Sequence, residues 1–140
     1  MLGALINLFS GKVEIELSPE RFLFKRKDVQ KSFSTIIHVY STGKRKKLVG
    51  IGDAYILQEP NLLIELFRSA ETLESQPLMV EYLSAFFTTA FRIITNRKIF
   101  IPSIIFKNSN SLINILRGNQ KEILEKAAKH AGAYECIFED

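Results

Sequence analysis

The sequence predicts a mixed α/β domain in which a sheet of about five strands carries flanking helices. The first half of the chain consists mainly of short apolar or alternating runs separated by turn residues, which is a strand signature. The second half reads helix, strand, helix, strand, and a helix that crosses between strands implies a parallel portion of sheet. Composition agrees: hydrophobic residues make 46% and charged residues 24% of the chain, an ordinary globular balance that excludes disordered and collagen-like classes.

The elements follow in order. Leu2, Leu5, Ile6, Leu8 and Phe9 form a short apolar stretch, read as one amphipathic helix within residues 1–10 and ended by Gly11. Val13 to Leu17 (VEIEL) alternates apolar and acidic residues, the pattern of a half-buried strand. Ser18-Pro19-Glu20 reads as a tight turn. Phe22, Leu23 and Phe24 lead into Lys25-Arg26-Lys27 as the second strand of a hairpin. Phe33 to Tyr40 is rich in β-branched residues and reads as a third strand. Ser41-Thr42-Gly43 is a turn, Lys47 to Ile51 a short strand, Gly52 to Leu57 a short helix, and Leu62 to Phe67 another strand.

The clearest element runs from Pro77 to Thr95. Glu81, Ser84, Thr88, Arg92 and Thr95 recur at helical spacing and leave a thin polar stripe on an otherwise apolar helix, which is therefore expected to be largely buried. Ser75 fits its N-cap, with Pro77 in the first turn. Ser103 to Phe106 reads as a strand, Asn108 to Ser111 as a polar loop and Leu112 to Leu116 as a short helical piece. Asn119 and Glu122 have the spacing of a capping box that opens a last helix, whose buried face carries Ile123, Leu124 and Ala127. Gly132 follows Lys129 and His130, where a left-handed C-cap residue belongs. Tyr134 to Phe138 is the final strand.

At 140 residues the chain is read as a single domain over 1–140, long enough to bury most of its apolar surface. Eleven Phe and no Trp point to a core of Phe, Ile and Leu. Cys136 is the only cysteine, so a disulfide framework is excluded and a cytoplasmic setting is expected. Met1 to Ser10 lacks a basic n-region and a small-residue cleavage site, which argues against a signal peptide. No uncharged apolar run approaches about 18 residues, which argues against a spanning helix.

Several motifs fail on inspection. Thr42-Gly43-Lys44 has the look of a P-loop end, but His38 stands where the first Gly belongs and Arg45 where Ser or Thr belongs, so it reads as a hairpin turn. Gly50-Ile51-Gly52 starts a dinucleotide fingerprint that Tyr55 breaks. His38, His130 and Cys136 do not make a metal-ligand set. Cys136 is read as a core residue.

Two basic clusters remain, Lys25-Arg26-Lys27 with Lys31 and Lys44-Arg45-Lys46-Lys47. On neighbouring strands they would share one end of the sheet and form a patch for an anionic lipid surface or an acidic partner. Each basic residue near a membrane surface contributes about 1 kcal/mol. The alternative is a solvated hairpin rim. Aromatic residues are not interleaved with these charges, which argues against nucleic acid. The net charge of +4 favours only weak association with anionic surfaces.

The order of elements resembles the first large subdomain of the actin and sugar-kinase superfamily, a ribonuclease H-like fold, and within it the bacterial actin-like MreB family, over nearly the whole chain. Lys121 to Ala133 (KEILEKAAKHAGA) is similar to the family's ERRAV-x-x-AA-x-x-AGA segment, and Glu135 to Asp140 (ECIFED) to its EVYLIEE strand. Asn96-Arg97-Lys98, Pro102 and Ser103 to Phe106 resemble its basic entry into the sheet. Gly50 to Ala54 resembles its AVGEEA segment, and Leu2 to Phe9 its membrane-touching helix.

The departures bear on function. The family's first phosphate turn, Asp-Leu-Gly-Thr, is here Glu16-Leu17-Ser18-Pro19. Glycine lets backbone amides approach a phosphate, whereas Pro19 has no amide hydrogen to donate. Glu16 has a longer reach than the Asp that organises metal-bound waters. Asn108 to Ser111 replaces a Gly-rich loop. Gln120 stands at the family's water-activating Glu, a place where actin itself uses Gln. The second large subdomain is missing from the chain. The resemblance so qualified implies a non-catalytic interaction module related to the bacterial actin-like cytoskeleton, without a cofactor. It would act in cell shape or polarity through a cytoskeletal or self-associating protein partner. It would be cytoplasmic or peripheral at the inner membrane, with Leu2, Leu5, Ile6 and Phe9 as membrane or partner contacts. The rivals are a nucleotide-binding half-domain completed by a partner chain, and a peripheral membrane or nucleic-acid binder.

Overall fold

Alternation along the first strand fixes which face of the main sheet is buried. Val13, Ile15 and Leu17 are fully buried while Glu14 and Glu16 between them reach the other face. The computed structural model describes residues 11–53, 55–95 and 103–140. The apolar stretch with Leu2, Leu5, Ile6 and Phe9, and the positions Ala54, Asn96, Arg97, Lys98 and Pro102, lie outside the described residues.

The described elements are β1 (Lys12–Leu17), β2 (Arg21–Arg26), β3 (Val29–Ser34), β4 (Ile36–Ser41), β5 (Lys46–Ile51), β6 (Tyr55–Ile56), β7 (Leu62–Glu65), α1 (Ala70–Leu73), α2 (Gln76–Thr95), β8 (Ser103–Lys107), α3 (Gln120–His130) and β9 (Glu135–Glu139). The expected mixed five-stranded sheet is present, in the order β3-β2-β1-β8-β9. β1 pairs antiparallel with β2 and β2 with β3, whereas β1 with β8 and β8 with β9 are parallel. The order β6-β5-β4-β7 makes a second, antiparallel four-stranded sheet.

The buried face of the main sheet meets α2 through aromatic contacts. Phe22 lies 5.7 Å edge-on to Phe86 and 6.0 Å stacked on Phe87, which reaches Phe91 at 5.9 Å and Phe106 at 6.0 Å. Such offset and edge contacts add to the area they bury. One core cluster includes these rings, Ile123, Leu124, Ala127 and Ala128 of α3, and Ile37, Val39, Ile51 and Ile64 of the second sheet.

Helix ends follow local chemistry. Ser75 Oγ accepts the Leu78 amide at 3.3 Å, as its N-cap assignment requires. Gly132 has φ +106; its amide donates to Lys129 O at 3.0 Å and the Ala133 amide to Ala128 O at 2.9 Å, a Schellman closure. α2 is 20 residues long and apolar enough by length and composition to cross a membrane, yet here its apolar residues pack into the core.

Four expectations need correction. The run from Phe33 to Tyr40 is two strands in different sheets. Thr35 is the changeover: its amide donates to Glu20 O and its carbonyl accepts the Leu66 amide, each at 3.0 Å, so one residue serves both sheets. The short helix expected at Gly52 to Leu57 is instead a turn and β6. At Gly50 a Cβ would stand 2.5 Å from Tyr55 O, a fold-back that only glycine permits. The capping box at Asn119 does not form: Asn119 makes no side-chain cap bond, and Glu122 turns away to Lys126 at 3.0 Å. Thr95 belongs to the buried side of α2, its hydroxyl donating to Phe91 O at 2.6 Å.

Candidate functional site

The parallel strands β1, β8 and β9 end together, and the carboxyl end of parallel strands is where open α/β sheets place ligands. Three segments meet there. The β1–β2 turn brings Ser18 and Pro19. A short 3-10 turn after β8, Ser109–Leu112, brings its polar residues, and β9 leads to Asp140. Asn108, at φ +64, turns its amide to donate to Leu17 O at 3.1 Å, and Ser111 Oγ donates to the same carbonyl at 3.2 Å.

Ser109 is fully buried. Its amide donates to Asp140 Oδ1 at 2.7 Å, and its hydroxyl lies 2.6 Å from Oδ1 and 2.8 Å from Oδ2. Lys121 Nζ stands 3.3 Å from Asp140 Oδ2. The Ser109 hydroxyl, then its amide and Lys121, hold the Asp140 carboxyl below its ordinary pKa against the opposing effect of burial. The strand end thus already contains an anion, supplied by the chain itself.

The β1–β2 turn is equally self-contained. The Ser18 amide and hydroxyl both donate to Arg21 O, at 3.0 and 2.9 Å, and the Arg21 amide returns to Ser18 Oγ at 3.1 Å. Pro19 offers only its carbonyl, which accepts the Thr35 hydroxyl at 2.6 Å. Glu16 projects to the opposite face, 3.6 Å from Lys25 Nζ. Gln120 is buried at the start of α3, and its Oε1 has no partner among the described residues. Glu16, Ser18, Pro19 and Gln120 therefore share no hydrogen bond or ion pair among the described residues. Beside the turn a cleft of about 250 Å³ opens between Pro19, Thr35, Phe67 and Arg68. Ligand pockets usually measure about 300–1,000 Å³.

The two basic clusters do not lie on neighbouring strands, the arrangement expected to bring them to one sheet end. β2 lies in the main sheet and β5 in the second, so the two strands are not paired. Lys25 sits between Glu14 at 3.7 Å and Glu16, and Arg26 packs against Gly11. Lys27, at φ +52, makes the β2–β3 turn. Lys44, Arg45, Lys46 and Lys47 occupy the β4–β5 tip. There Lys46 Nζ donates to Tyr82 Oη at 3.1 Å and faces Glu71 at 3.5 Å; chiefly the tyrosine hydroxyl raises its pKa. The side chains of Lys44, Arg45 and Lys47 have no partner among the described residues.

The remaining candidates have structural partners. His38 is buried, with Nε2 bonded to Gly52 O. Cys136 is half-buried against the core, and burial pushes its thiol up to about 11, so little reactive thiolate exists at neutral pH. Among the described residues no group of His, Cys, Asp and Glu is arranged to hold a metal. Sequence reasoning missed the Ser109–Asp140 clamp and the Lys46–Tyr82–Glu71 group. Neither has a local signature, since the first joins residues 31 apart and the second joins a strand to two helices. No protein-family model matches the chain, and no curated protein matches it.

Proposed function

We propose that this chain is a non-catalytic interaction module related to the bacterial actin-like cytoskeleton, with the ribonuclease H-like fold of the first large actin-like subdomain. It acts through protein contacts in cell shape or polarity, in the cytoplasm or at the inner face of the membrane. The strand order supports the fold: an antiparallel trio continues into two parallel strands reached through helical crossovers. The observation that carries the functional reading is the β1–β2 turn. A phosphate turn presents free amides. Here the Ser18 and Arg21 amides are bonded within the turn and Pro19 has none. About 4 kcal/mol separates micromolar from millimolar binding, and hydrogen bonds to a charged group contribute about 1.5–3 kcal/mol each, so losing a few of them suffices.

One observation favours a rival. Gln120 Oε1 is buried without a partner among the described residues, and such an acceptor usually has a role. A second chain that closed the strand end over Gln120 would complete a nucleotide half-site. Isothermal titration with ATP and Mg²⁺ separates the two readings. The module reading expects a dissociation constant weaker than about 1 mM. A constant below about 10 μM, or phosphate release that Gln120→Ala abolishes, would establish the rival.

A further inference from the structure

A strand at the edge of a sheet presents unpaired backbone groups, which natural proteins guard by charge, shortness or cover. The edges of the main sheet are β3 and β9, and those of the second are β6 and β7. β6 has two residues, and β3 carries an exposed Lys31 at its middle. β9 paired antiparallel with another β9 about Ile137 would set Glu135 against Glu139, and like charges directly opposite are destabilising. β7 runs Leu62, Leu63, Ile64, Glu65, with no charge before its last residue, and Leu63 is 58% exposed. Its backbone is held at both ends. Asn61 Oδ1 accepts the Ser41 amide at 2.8 Å and Asn61 Nδ2 donates to Ser41 O at 2.7 Å, while the Glu65 carbonyl accepts the Arg68 and Ser69 amides at 3.1 and 2.9 Å. The bond from the Leu66 amide to Thr35 O fixes the alternation between them. Ile64 bonds toward β4, and Leu63 and Glu65 turn their backbone groups to the free edge. There the Leu63 amide and carbonyl and the Glu65 amide have no partner among the described residues.

We propose that β7 pairs antiparallel with β7 of a second copy of this chain, about a twofold axis at Leu63, and so joins two four-stranded sheets into one. The contact rests on the interaction-module reading and names a partner for it. Self-complementarity identifies the second copy. In this register the two Leu63 residues exchange their amide and carbonyl bonds and lie side by side. Ile64 faces Leu62, and the Glu65 amide faces the Asn61 carbonyl, so no like charges stand opposite. Charge agrees at the strand ends. Glu59 precedes β7 and Arg68 follows it, and neither side chain has a partner among the described residues. Antiparallel pairing carries the segment before β7 in one copy to the segment after β7 in the other. Each Glu59 therefore comes to an Arg68, once at either end of the contact. An unrelated peptide strand could satisfy the same backbone groups but would not supply this reciprocal pair.

The test is sedimentation equilibrium of the full chain from about 10 μM to about 1 mM, in about 0.1 M salt. A monomer–dimer equilibrium with a dissociation constant on the order of 100 μM is expected, since the edge is short. Arg68→Glu alone and Glu59→Arg alone each set like charges together at both ends, and each should weaken the dimer at least about tenfold. An equimolar mixture of those two variants pairs Glu with Arg again and should recover to within about threefold of wild type. A side chain that acted only within its own fold would give no such recovery. Leu63→Lys puts a charge on the exposed edge and should abolish the dimer. The Leu63 and Glu65 amides should exchange more slowly with solvent as protein concentration rises. A monomer throughout this range overturns the contact. So does a dimer that Leu63→Lys leaves unchanged, or a mixture of the charge variants that does not recover. A monomer leaves the module reading standing, whereas ATP bound with a constant below about 10 μM removes that reading itself.

Discussion

Both sheets bury the rows that face the core, Ile37, Ile51 and Ile64 of the second sheet at 1%, 0% and 4% exposure, and they differ in their outer faces. In the main sheet Val13, Ile15, Phe22, Phe24, Ile104 and Phe106 are 0% exposed. On the outer face of the second sheet one row runs from Leu63 through His38 and Gly50 to Ile56, and its ends are 58% and 49% exposed. Charge divides in the same way. On the outer face of the main sheet Lys107 bridges Glu14 at 3.1 Å, and Lys25 joins Glu14 and Glu16. At the tip of the second sheet Lys44, Arg45 and Lys47 have no partner among the described residues. Both sheets therefore contribute to the core, while the outer face and tip of the second keep exposed apolar edges and cations without partners among the described residues. Natural sheets usually protect such edges, and an apolar patch left open is a mark of interaction.

The largest expected effect compares the core that both sheets share with the outer face of the second sheet. Phe87 is fully buried and touches Phe22, Phe24, Phe86, Phe91 and Phe106. Phe87→Ala should cost about 3–5 kcal/mol of unfolding free energy in urea. Leu63→Ala in the second sheet should stay within about 0.5 kcal/mol. Similar costs at the two positions would break the comparison.

A smaller effect sharpens it within the second sheet. Gly50→Ala would set a Cβ 2.5 Å from Tyr55 O and 3.0 Å from Ile56 Cα, both backbone atoms. The fold-back from β5 to β6 must open, at about 1–3 kcal/mol. Gly43→Ala meets nothing within 4 Å but sits at φ +88, so it should cost about 1 kcal/mol through backbone strain alone. Hydrogen exchange should rise around β5 and β6 in Gly50→Ala and remain slow in β1, β2 and β8. Faster exchange throughout the main sheet would show that the two sheets unfold as one unit.

Much of this architecture is legible in the sequence, for identifiable reasons. β1, β5, β8 and β9 announce themselves by alternation or by short apolar runs between turn residues, and α2 by its length and thin polar stripe. The passage from β3 to β4 is invisible because Thr35 keeps the chain extended while its amide and carbonyl serve different sheets. No Gly or Pro marks it. The Asn119 motif misleads because the Asn119 amide is drawn to Leu116 O at 3.0 Å by the turn before the helix. At the strand end the sequence identifies Ser18 and Pro19 as turn residues but not what they bond. It marks Asn108 to Ser111 only as polar. The clamp to Asp140 depends on β8 and β9 lying side by side, which topology decides.

The smallest expected effect concerns that clamp, where the main sheet satisfies its own strand end. The Asp140 side chain is 16% exposed and Lys121 is 55% exposed, so the Lys121 bridge contributes little and the Ser109 bonds contribute most. Because the folded carboxyl has a lowered pKa, its contribution is present above the unfolded value of about 3.9 and is lost as pH falls through the folded value. Asp140→Asn keeps the shape and one acceptor oxygen but removes the charge. It should cost about 1 kcal/mol at neutral pH, since charge-assisted bonds exceed neutral ones by about that amount. Lys121→Met should cost under about 0.5 kcal/mol. Urea unfolding of both variants across pH checks the sign. The difference between wild type and Asp140→Asn should shrink below about pH 4, as protonation makes the two side chains alike. A constant difference down to about pH 2 would mean that shape and not charge closes this end. The contrast with the uncompensated cations at the β4–β5 tip would then lose its electrostatic half.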